Sequence, residues 1–135
     1  MRGHPRRTQR RPGGMARGRL VDGQAVSGRI WIERRGETWL AWGRVVLLER
    51  IREHGSISAA ARSMGMGYRH AWELVASMNR LAPAPLVARA TGGLRGGGAR
   101  LTPAGERAVG DFWRLVHEFD GWLAGRHLRT GEGAR

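Results

Sequence analysis

Glycines in the middle of the chain constrain its fold more than any other feature. A Gly-Met-Gly turn at residues 65–67 separates a short alanine-rich segment from a longer segment whose apolar residues recur every three or four positions. Farther along, five of the seven residues 92–98 are glycine. Glycine adopts conformations that other residues avoid, so each cluster indicates a tight turn or an open loop between regular elements.

Three helices are predicted around the Gly-Met-Gly turn. Gly55 is typical of a helix end and closes a helix predicted over residues 44–54. Ser58 is predicted to cap a short helix, residues 59–64, and Gly67 precedes a longer helix, residues 68–81. The core-facing positions predicted for this longer helix are Ala71, Leu74, Val75, Met78 and Leu81. Its outward positions are polar, cationic and aromatic: Tyr68, Arg69, His70, Trp72, Glu73 and Ala76.

Two strands are predicted beyond this helix pair. Pro83 and Pro85 prevent the helix from continuing. Strands are then expected over residues 86–91 and 100–102, on either side of the glycine-rich loop. Two helices joined by a tight turn and followed by such a loop between strands have the order of a winged helix-turn-helix, in which the second helix enters the major groove of DNA.

Further elements are predicted on both sides. Between residues 27 and 42, β-branched and aromatic residues flank Arg34-Arg35-Gly36, which predicts a β-hairpin. Its tryptophans, residues 31, 39 and 42, either pack on a neighbouring element or stack on a base or ligand. Thr102 and Pro103 predict the start of a last helix, residues 103–125. The predicted fold is mainly α with a small β content (α+β): a winged helix-turn-helix with an N-terminal β-hairpin and a long C-terminal dimerisation helix.

The last helix carries two adjacent apolar rows, and one row is enough to pack on a domain. We therefore expect the same helix of a second subunit to cover the other row, which predicts a homodimer. The rows also contain Ala108, and the predicted dimerisation residues are Val109, Phe112, Leu115, Val116, Phe119, Trp122 and Leu123.

The formal charge of +13 points to a polyanionic partner, with double-stranded DNA as the first candidate. Residues 1–25 are predicted to form a disordered basic arm, which is either a phosphate-contacting extension, a solvated tail, or sequence upstream of a true start at Met15. Residues 26–125 are predicted to form the DNA-binding domain, and residues 126–135 a tail. Arg95 and Arg100 are expected to contact phosphates or the minor groove.

Several function classes find no support in the sequence. The chain has no cysteine, which fits a reducing cytoplasm, and no apolar run approaches the length of a membrane span. The glycine-rich loop lacks the GK[ST] ending of a P-loop, and the histidines lack metal-ligand spacing. The acids Glu49, Glu53, Asp111 and Glu118 are expected on helix surfaces. We predict a protein without catalytic activity, metal or cofactor.

Three segments, GSISAAARSMGMGYRHAWELVASMN, PLVARATGG and GGGARLTPAGE, resemble the N-terminal DNA-binding domain of the ModE family, which is similar to the winged helix of LysR-type regulators. The resemblance covers roughly residues 43–125 and implies a dimer on a near-palindromic operator. By this resemblance Tyr68, Arg69, His70 and Trp72 fall on the recognition helix, and Thr91, Gly92, Gly93, Arg95 and Arg100 fall on the wing. The predicted DNA-binding residues are these nine together with Ser58, Gly67 and Glu73. Trp72 either completes the core beside Tyr68 or lies against sugars and thymine methyl groups.

Two departures from the family pattern affect these assignments. Gly67 stands where the family often has a helix-capping serine, and Leu94-Arg95 replaces a Lys-Gly pair in the wing. The molybdate-binding domains of the family have no counterpart among these residues, so the resemblance implies no effector, and it links the chain only weakly to molybdate-related genes. Two alternatives stay open: a protein-interaction or dimerisation module without specific DNA binding, and a direct oxyanion sensor built on the tryptophan-rich hairpin.

Overall fold

The computed structural model describes residues 14–91 and 97–129. The chain divides into two compact units, a larger one of residues 31–112 and a smaller one formed by the residues before and after it. In chain order the elements are β1 (Ala16–Arg17), β2 (Ser27–Gly28), β3 (Ile32–Arg34), β4 (Glu37–Leu40), α1 (Trp42–His54), α2 (Ile57–Ser63), α3 (Tyr68–Leu81), β5 (Val87–Ala90), β6 (Gly98–Leu101) and α4 (Pro103–Ala124). This order confirms the predicted α+β winged helix-turn-helix.

The core of the larger unit is built around α1, which packs against α2, α3 and β6. The α1 residues Val45, Leu47, Leu48 and Ile51 are fully buried. On α3 the predicted inward face is confirmed, because Ala71, Val75, Met78 and Leu81 are buried and Leu74 is half-buried. Burial of these aliphatic side chains supplies most of the favourable free energy of folding.

The predicted surface position of Glu49 was wrong. Glu49 is only 6% exposed and lies 3.8 Å from the guanidinium of Arg52, which also forms a 2.7 Å ion pair with Glu106. Helical spacing alone placed Glu49 among solvated residues. The packing around α1 leaves that side of the helix covered, and the neighbouring arginine offsets part of the cost of burying the carboxylate.

The hairpin around Arg34-Arg35-Gly36 is confirmed. Strands β3 and β4 pair antiparallel, with a register irregularity between Ile32 and Glu33. The two turn residues, Arg35 and Gly36, both have positive φ angles, 53° and 77°. Two successive positive φ angles are typical of the two-residue turns that match the twist of a hairpin.

Packing accounts for Trp39 of the hairpin but leaves Trp31 open to solvent. The indole N–H of Trp39 donates a 3.1 Å hydrogen bond to the Met78 carbonyl of α3. The Arg34 guanidinium lies over the Trp39 ring, 4.9 Å from its centroid. Trp31, by contrast, is about half exposed. The hairpin is therefore attached to the C-terminal half of α3 through Trp39.

The N-cap predicted at Ser58 was wrong, because Ser56 caps α2. The Ser56 hydroxyl oxygen accepts a 3.0 Å hydrogen bond from the Ala59 N–H, and Ser56 has extended backbone angles. Ser58 lies inside the helix and is exposed. Serine is a favoured N-cap residue, so the sequence offers both Ser56 and Ser58. Because Gly55 ends α1, α2 begins directly after it and Ser56 becomes the cap.

Exchange of each serine for alanine tests this correction. Ser56→Ala should lower the free energy of unfolding by about 1 kcal/mol, because the first turn of α2 loses the acceptor for one N–H. Ser58→Ala is the matched control and should change stability little. Urea unfolding at neutral pH measures both. A larger loss for Ser58→Ala would contradict the assignment of the cap.

The start of α4 follows the prediction. The Thr102 hydroxyl accepts a 3.0 Å hydrogen bond from the Gly105 N–H and donates one of 2.5 Å to the Pro85 carbonyl. Pro103 occupies the first helical position, where its missing N–H costs nothing. The cap thus joins the beginning of α4 to the segment that leads into β5.

Residues 14–25, which were predicted to be part of a disordered basic arm, are folded in the smaller unit. Strands β1 and β2 pair antiparallel, with Ala16 opposite Gly28, and Val21 and Gln24 exchange backbone hydrogen bonds of 2.7 and 2.9 Å. Ala16 is buried. Backbone pairing needs no hydrophobic periodicity, so the pattern of side chains did not reveal it. Residues 1–13 of the arm and 130–135 of the tail lie outside the described residues.

None of the helices in residues 14–91 and 97–129 is both long enough and apolar enough to span a membrane.

Candidate nucleic-acid interface

The outward face of α3 carries the side chains that the sequence predicted for DNA contact. Tyr68 and Trp72 are 58% and 53% exposed, although both are large and aromatic. Arg69, His70 and Glu73 are also exposed. The alternative in which Trp72 completes the core beside Tyr68 was therefore wrong. Gly67 occupies the N-cap position in an extended conformation and offers no side-chain cap.

A charged pair lies on the same face. The Nε atom of Arg69 is 3.4 Å from Oε1 of Glu73, one helical turn later, and both side chains are largely exposed. An exposed pair of this kind contributes little to stability. Its cationic and anionic groups are consequently available to a partner at small cost.

An open groove of about 660 Å³ runs between α3 and the two strands β5 and β6. We call it the wing groove. The α3 side chains that line it are Tyr68, Trp72, Val75, Ala76 and Asn79, and the remaining lining residues are Ile57, Ser58, Val87, Ala88, Arg89, Gly97, Gly98 and Ala99. Its walls thus combine two aromatic rings, an arginine and exposed backbone.

Only some of the predicted wing residues belong to the part of the chain that the structure describes. Strands β5 and β6 pair antiparallel from Val87 with Leu101 to Ala90 with Gly98. Thr91 and Arg100 are exposed at the strands. Gly92, Gly93 and Arg95 lie outside the described residues. The structure therefore brings Ser58, Tyr68 and Trp72 to one groove, whereas Arg100 lies on β6 outside its lining.

Sequence reasoning missed Arg89, which is exposed on β5 and lines the wing groove. No alternation of side chains marked it, because Val87 and Arg89 are two residues apart on β5 and therefore share one face of the strand, with Val87 buried and Arg89 exposed. An arginine at this position adds a bidentate hydrogen-bond donor beside the aromatic wall.

Asn79 was also missed, and it holds the strands against α3. Its side-chain oxygen accepts hydrogen bonds from the N–H groups of Leu86 and Val87, at 2.8 and 3.1 Å, and its amide donates to the Val87 carbonyl at 3.0 Å. On the other strand, the Ala99 N–H donates to the Gly55 carbonyl at 2.8 Å. These bonds hold the start of β5 to α3 and hold β6 to the end of α1.

An ion pair at the C-terminal end of α3 shifts the pKa of a carboxyl group. Arg80 forms two hydrogen bonds with Glu37, at 2.8 and 3.1 Å. Hydrogen bonding to Arg80, and then its charge, hold the pKa of Glu37 below the ordinary value of 4.5. The contribution of this ion pair to the free energy of unfolding is therefore fully present above the ordinary carboxyl pKa. It is lost as the pH falls through the lower pKa that Glu37 has in the folded state.

The predicted dimerisation residues of α4 differ widely in exposure. Val109, Phe112, Val116 and Leu123 are buried within one chain, Leu115 and Phe119 are half-buried, and Trp122 is 53% exposed. Trp122 stacks on Phe119 with ring centroids 6.2 Å apart, and the Arg126 guanidinium lies 4.7 Å from its ring. Trp113, which neither predicted row contained, is buried. Of the predicted dimerisation residues, Leu115, Phe119 and Trp122 are therefore the ones that keep surface exposed to solvent.

Over the part of the chain that the structure describes, no group of three or more His, Asp or Glu residues could hold a metal ion.

Comparison with known proteins agrees with this architecture. The family described as "Bacterial regulatory helix-turn-helix protein, lysR family" matches residues 42–106. The chain is 50% identical over 88 residues to the molybdenum-pterin-binding protein MopB of Rhodobacter capsulatus, covering 65% of this chain and 32% of that protein. It is 43% identical over 86 residues to the molybdenum transport protein ModE of Azotobacter vinelandii, covering 64% and 32%.

A third relative is named for DNA binding. The chain is 47% identical over 66 residues to the DNA-binding transcriptional dual regulator ModE of Escherichia coli, covering 49% of this chain and 25% of that protein. The chain thus spans about a third or less of the length of these relatives. The order of the elements, the exposed face of α3 and these similarities together identify residues 42–106 as a ModE-like helix-turn-helix domain of the LysR type.

Proposed function

We propose that this chain is a sequence-specific transcription regulator that binds double-stranded DNA, with α3 in the major groove. The observation that carries the proposal is the outward face of α3. Its opposite face is anchored in the core, while its N-terminal half presents Tyr68, Arg69, His70 and Trp72 to solvent. In helix-turn-helix proteins the N-terminal residues of the second helix contact base edges.

Charge supports the same partner. The formal charge of +13 favours any nucleic acid through phosphate contacts and release of counterions. On the described surface, Arg89 and Arg100 extend the positive charge from α3 onto the wing. In the proposed complex the wing lies on the DNA backbone or in the minor groove, and its arginines position the protein without reading sequence.

We also propose that the chain acts as a homodimer. Two copies would place two α3 helices in successive major grooves about 34 Å apart, on a near-palindromic site. The half-exposed aromatic pair Phe119 and Trp122, together with Leu115, supports a contact between α4 helices. Sedimentation equilibrium of the wild type and of Trp122→Ala measures this contact.

The names of the relatives support a proposal about the target genes. MopB and the Azotobacter ModE are named for molybdenum, which supports a regulon of molybdate-related genes for this chain. The matched region is a DNA-binding type of domain, so we propose action in the cytoplasm, no catalytic activity, and no effector bound by the described residues.

Exchange of arginines tests the proposed division of labour. Arg69→Ala should reduce the preference for the selected site over random duplex, because a base contact is worth about 1–3 kcal/mol of discrimination. Arg100→Ala should weaken binding to all sequences and lower the slope of log K against log salt by about 0.9 per lost phosphate contact. Fluorescence anisotropy at several salt concentrations measures both variants.

Arg107, an exposed arginine of α4, provides the matched control. Arg107→Ala should leave both the site preference and the salt slope close to wild type. Equal losses for Arg69→Ala and Arg100→Ala on specific and random duplex would contradict the division of labour. Absence of specific binding at about 150 mM salt would favour the protein-interaction alternative. Heat of binding with molybdate or tungstate would favour the oxyanion sensor.

A further inference from the structure

The outward face of α3 separates into two rows of different chemistry. Arg69 and Glu73 form the polar row and pair with each other at 3.4 Å. Tyr68 and Trp72 form the second row, one helical turn apart, and both line the wing groove. The two aromatic side chains are large and rigid, and each is more than half exposed. It is therefore a surface that a partner covers at low cost in conformational entropy.

The pairing of Arg69 with Glu73 makes the centre of this face less cationic than the composition of the chain suggests. A carboxylate on the DNA-facing side repels phosphates, so general electrostatic attraction is not what this face is built for. Positive charge is instead placed at the edge of the groove, where Arg89 lies on β5. The edge of the wing groove is therefore suited to phosphate contact, whereas the side along α3 is suited to apolar contact.

The C5-methyl of thymine is the only alkyl group that the four standard bases present in the major groove. Guanine, cytosine and adenine present hydrogen-bond donors and acceptors there, whereas thymine adds its C5-methyl group. An aromatic wall gains free energy by covering that methyl and gains nothing comparable from the other three bases. Two neighbouring aromatic side chains that stay exposed in the free protein are matched to this group.

We infer that Tyr68 and Trp72 together form a thymine-methyl reader, and that the target sites of this protein contain thymines which these two side chains contact through the C5-methyl group. The inference rests on the proposed function and makes it more specific. Arg69 and Glu73 then read the polar edges of neighbouring bases, and Arg89 holds the adjacent phosphate.

Replacement of thymine by uracil removes the methyl group and leaves every hydrogen-bonding atom in place. A duplex selected by the full chain from random DNA is the probe, and each thymine in it is replaced in turn by uracil. Wild-type affinity should fall about fourfold for each contacted methyl, equivalent to about 0.8 kcal/mol. Thymines outside the contacts should show no effect, and random duplex should show none.

Protein variants assign the effect to the aromatic row. Tyr68→Ala and Trp72→Ala should each abolish the thymine-over-uracil preference at one position of the selected duplex. Trp72→Phe keeps an apolar ring and should retain the preference, and Arg107→Ala should leave it unchanged. Because both aromatic side chains are exposed, urea unfolding should show all four variants folded.

The outcomes separate this inference from the proposed function. Specific binding in which no uracil substitution weakens the wild type would overturn the thymine reader and leave DNA recognition standing, with the aromatic side chains against sugars. A preference that persists in both alanine variants would also overturn it. Failure to bind any duplex would overturn the proposed function and this inference together.

Discussion

Replacement of Gly105 by alanine should be among the most damaging single changes to the larger unit. A Cβ atom at this position would overlap the Leu86 carbonyl oxygen, lie 3.1 Å from the Leu86 carbonyl carbon and lie 3.4 Å from the Leu101 side chain. The first two contacts are with backbone, which cannot rotate away as a side chain does. We expect a loss of about 3 kcal/mol in the free energy of unfolding, at the upper end of the usual cost of overpacking.

The clash also affects the site. The Leu86 carbonyl accepts a 2.9 Å hydrogen bond from the Thr102 N–H, so its displacement disturbs the cap of α4 and the start of β5 together. Gly105→Ala should therefore also weaken binding to DNA by shifting the strands that border the wing groove. Chemical unfolding measures the first effect, and anisotropy at a temperature where the variant is folded measures the second.

Gly110 provides a matched control in the same helix. It is exposed, and a Cβ atom there would meet nothing within 4 Å. Gly110→Ala should stabilise the protein by about 0.5–1 kcal/mol, because alanine has the higher helix propensity and restricts the unfolded chain. Loss of stability in both variants, or in neither, would contradict the close approach of α4 to the segment before β5.

Replacement of Asn79 by alanine is expected to have the second large effect. The variant loses three hydrogen bonds and leaves the N–H groups of Leu86 and Val87 without their side-chain acceptor. Both residues are buried. A buried polar group without a partner costs about 1–3 kcal/mol, so the variant should lose about 3 kcal/mol in total, since the groups share one cavity and do not add independently.

The same variant should separate the wing from α3. Amide hydrogen exchange of residues 86–90 and 98–101 should accelerate more than exchange in α1, because the connection through Asn79 is local to the strands. Arg80→Ala, one residue later, removes an exposed ion pair with Glu37 and should have a much smaller effect. Equal destabilisation by both variants would contradict the role assigned to Asn79.

Local interactions explain which parts of the fold were predictable. The start of α4 depends on Thr102, Pro103 and Gly105, which lie within one turn of each other. The β3–β4 turn depends on the conformations of Arg35 and Gly36 alone. The inward face of α3 follows from helical spacing over fourteen residues. In each case the residues that decide the structure are neighbours along the chain.

The candidate site was predictable in part for the same reason. Tyr68, Arg69, His70, Trp72 and Glu73 could be assigned to the outward face because the inward positions are apolar. Whether Trp72 was buried or exposed depended on what packs beside α3, which spacing does not contain. Arg89 and Asn79 became part of the site only because β5 returns to lie along the helix.

The sequence by itself determined the order of helices and strands from β3 to α4, the amphipathic face of α3 and the cap of α4, since these rest on local backbone preferences and on periodicity. Tertiary structure alone decided that Glu49 is buried, that residues 16–17 pair with 27–28, and that Gly105 is required beside Leu86. Each of these depends on contact between segments whose mutual placement is set by the packing of the whole unit, and no local pattern encodes that placement.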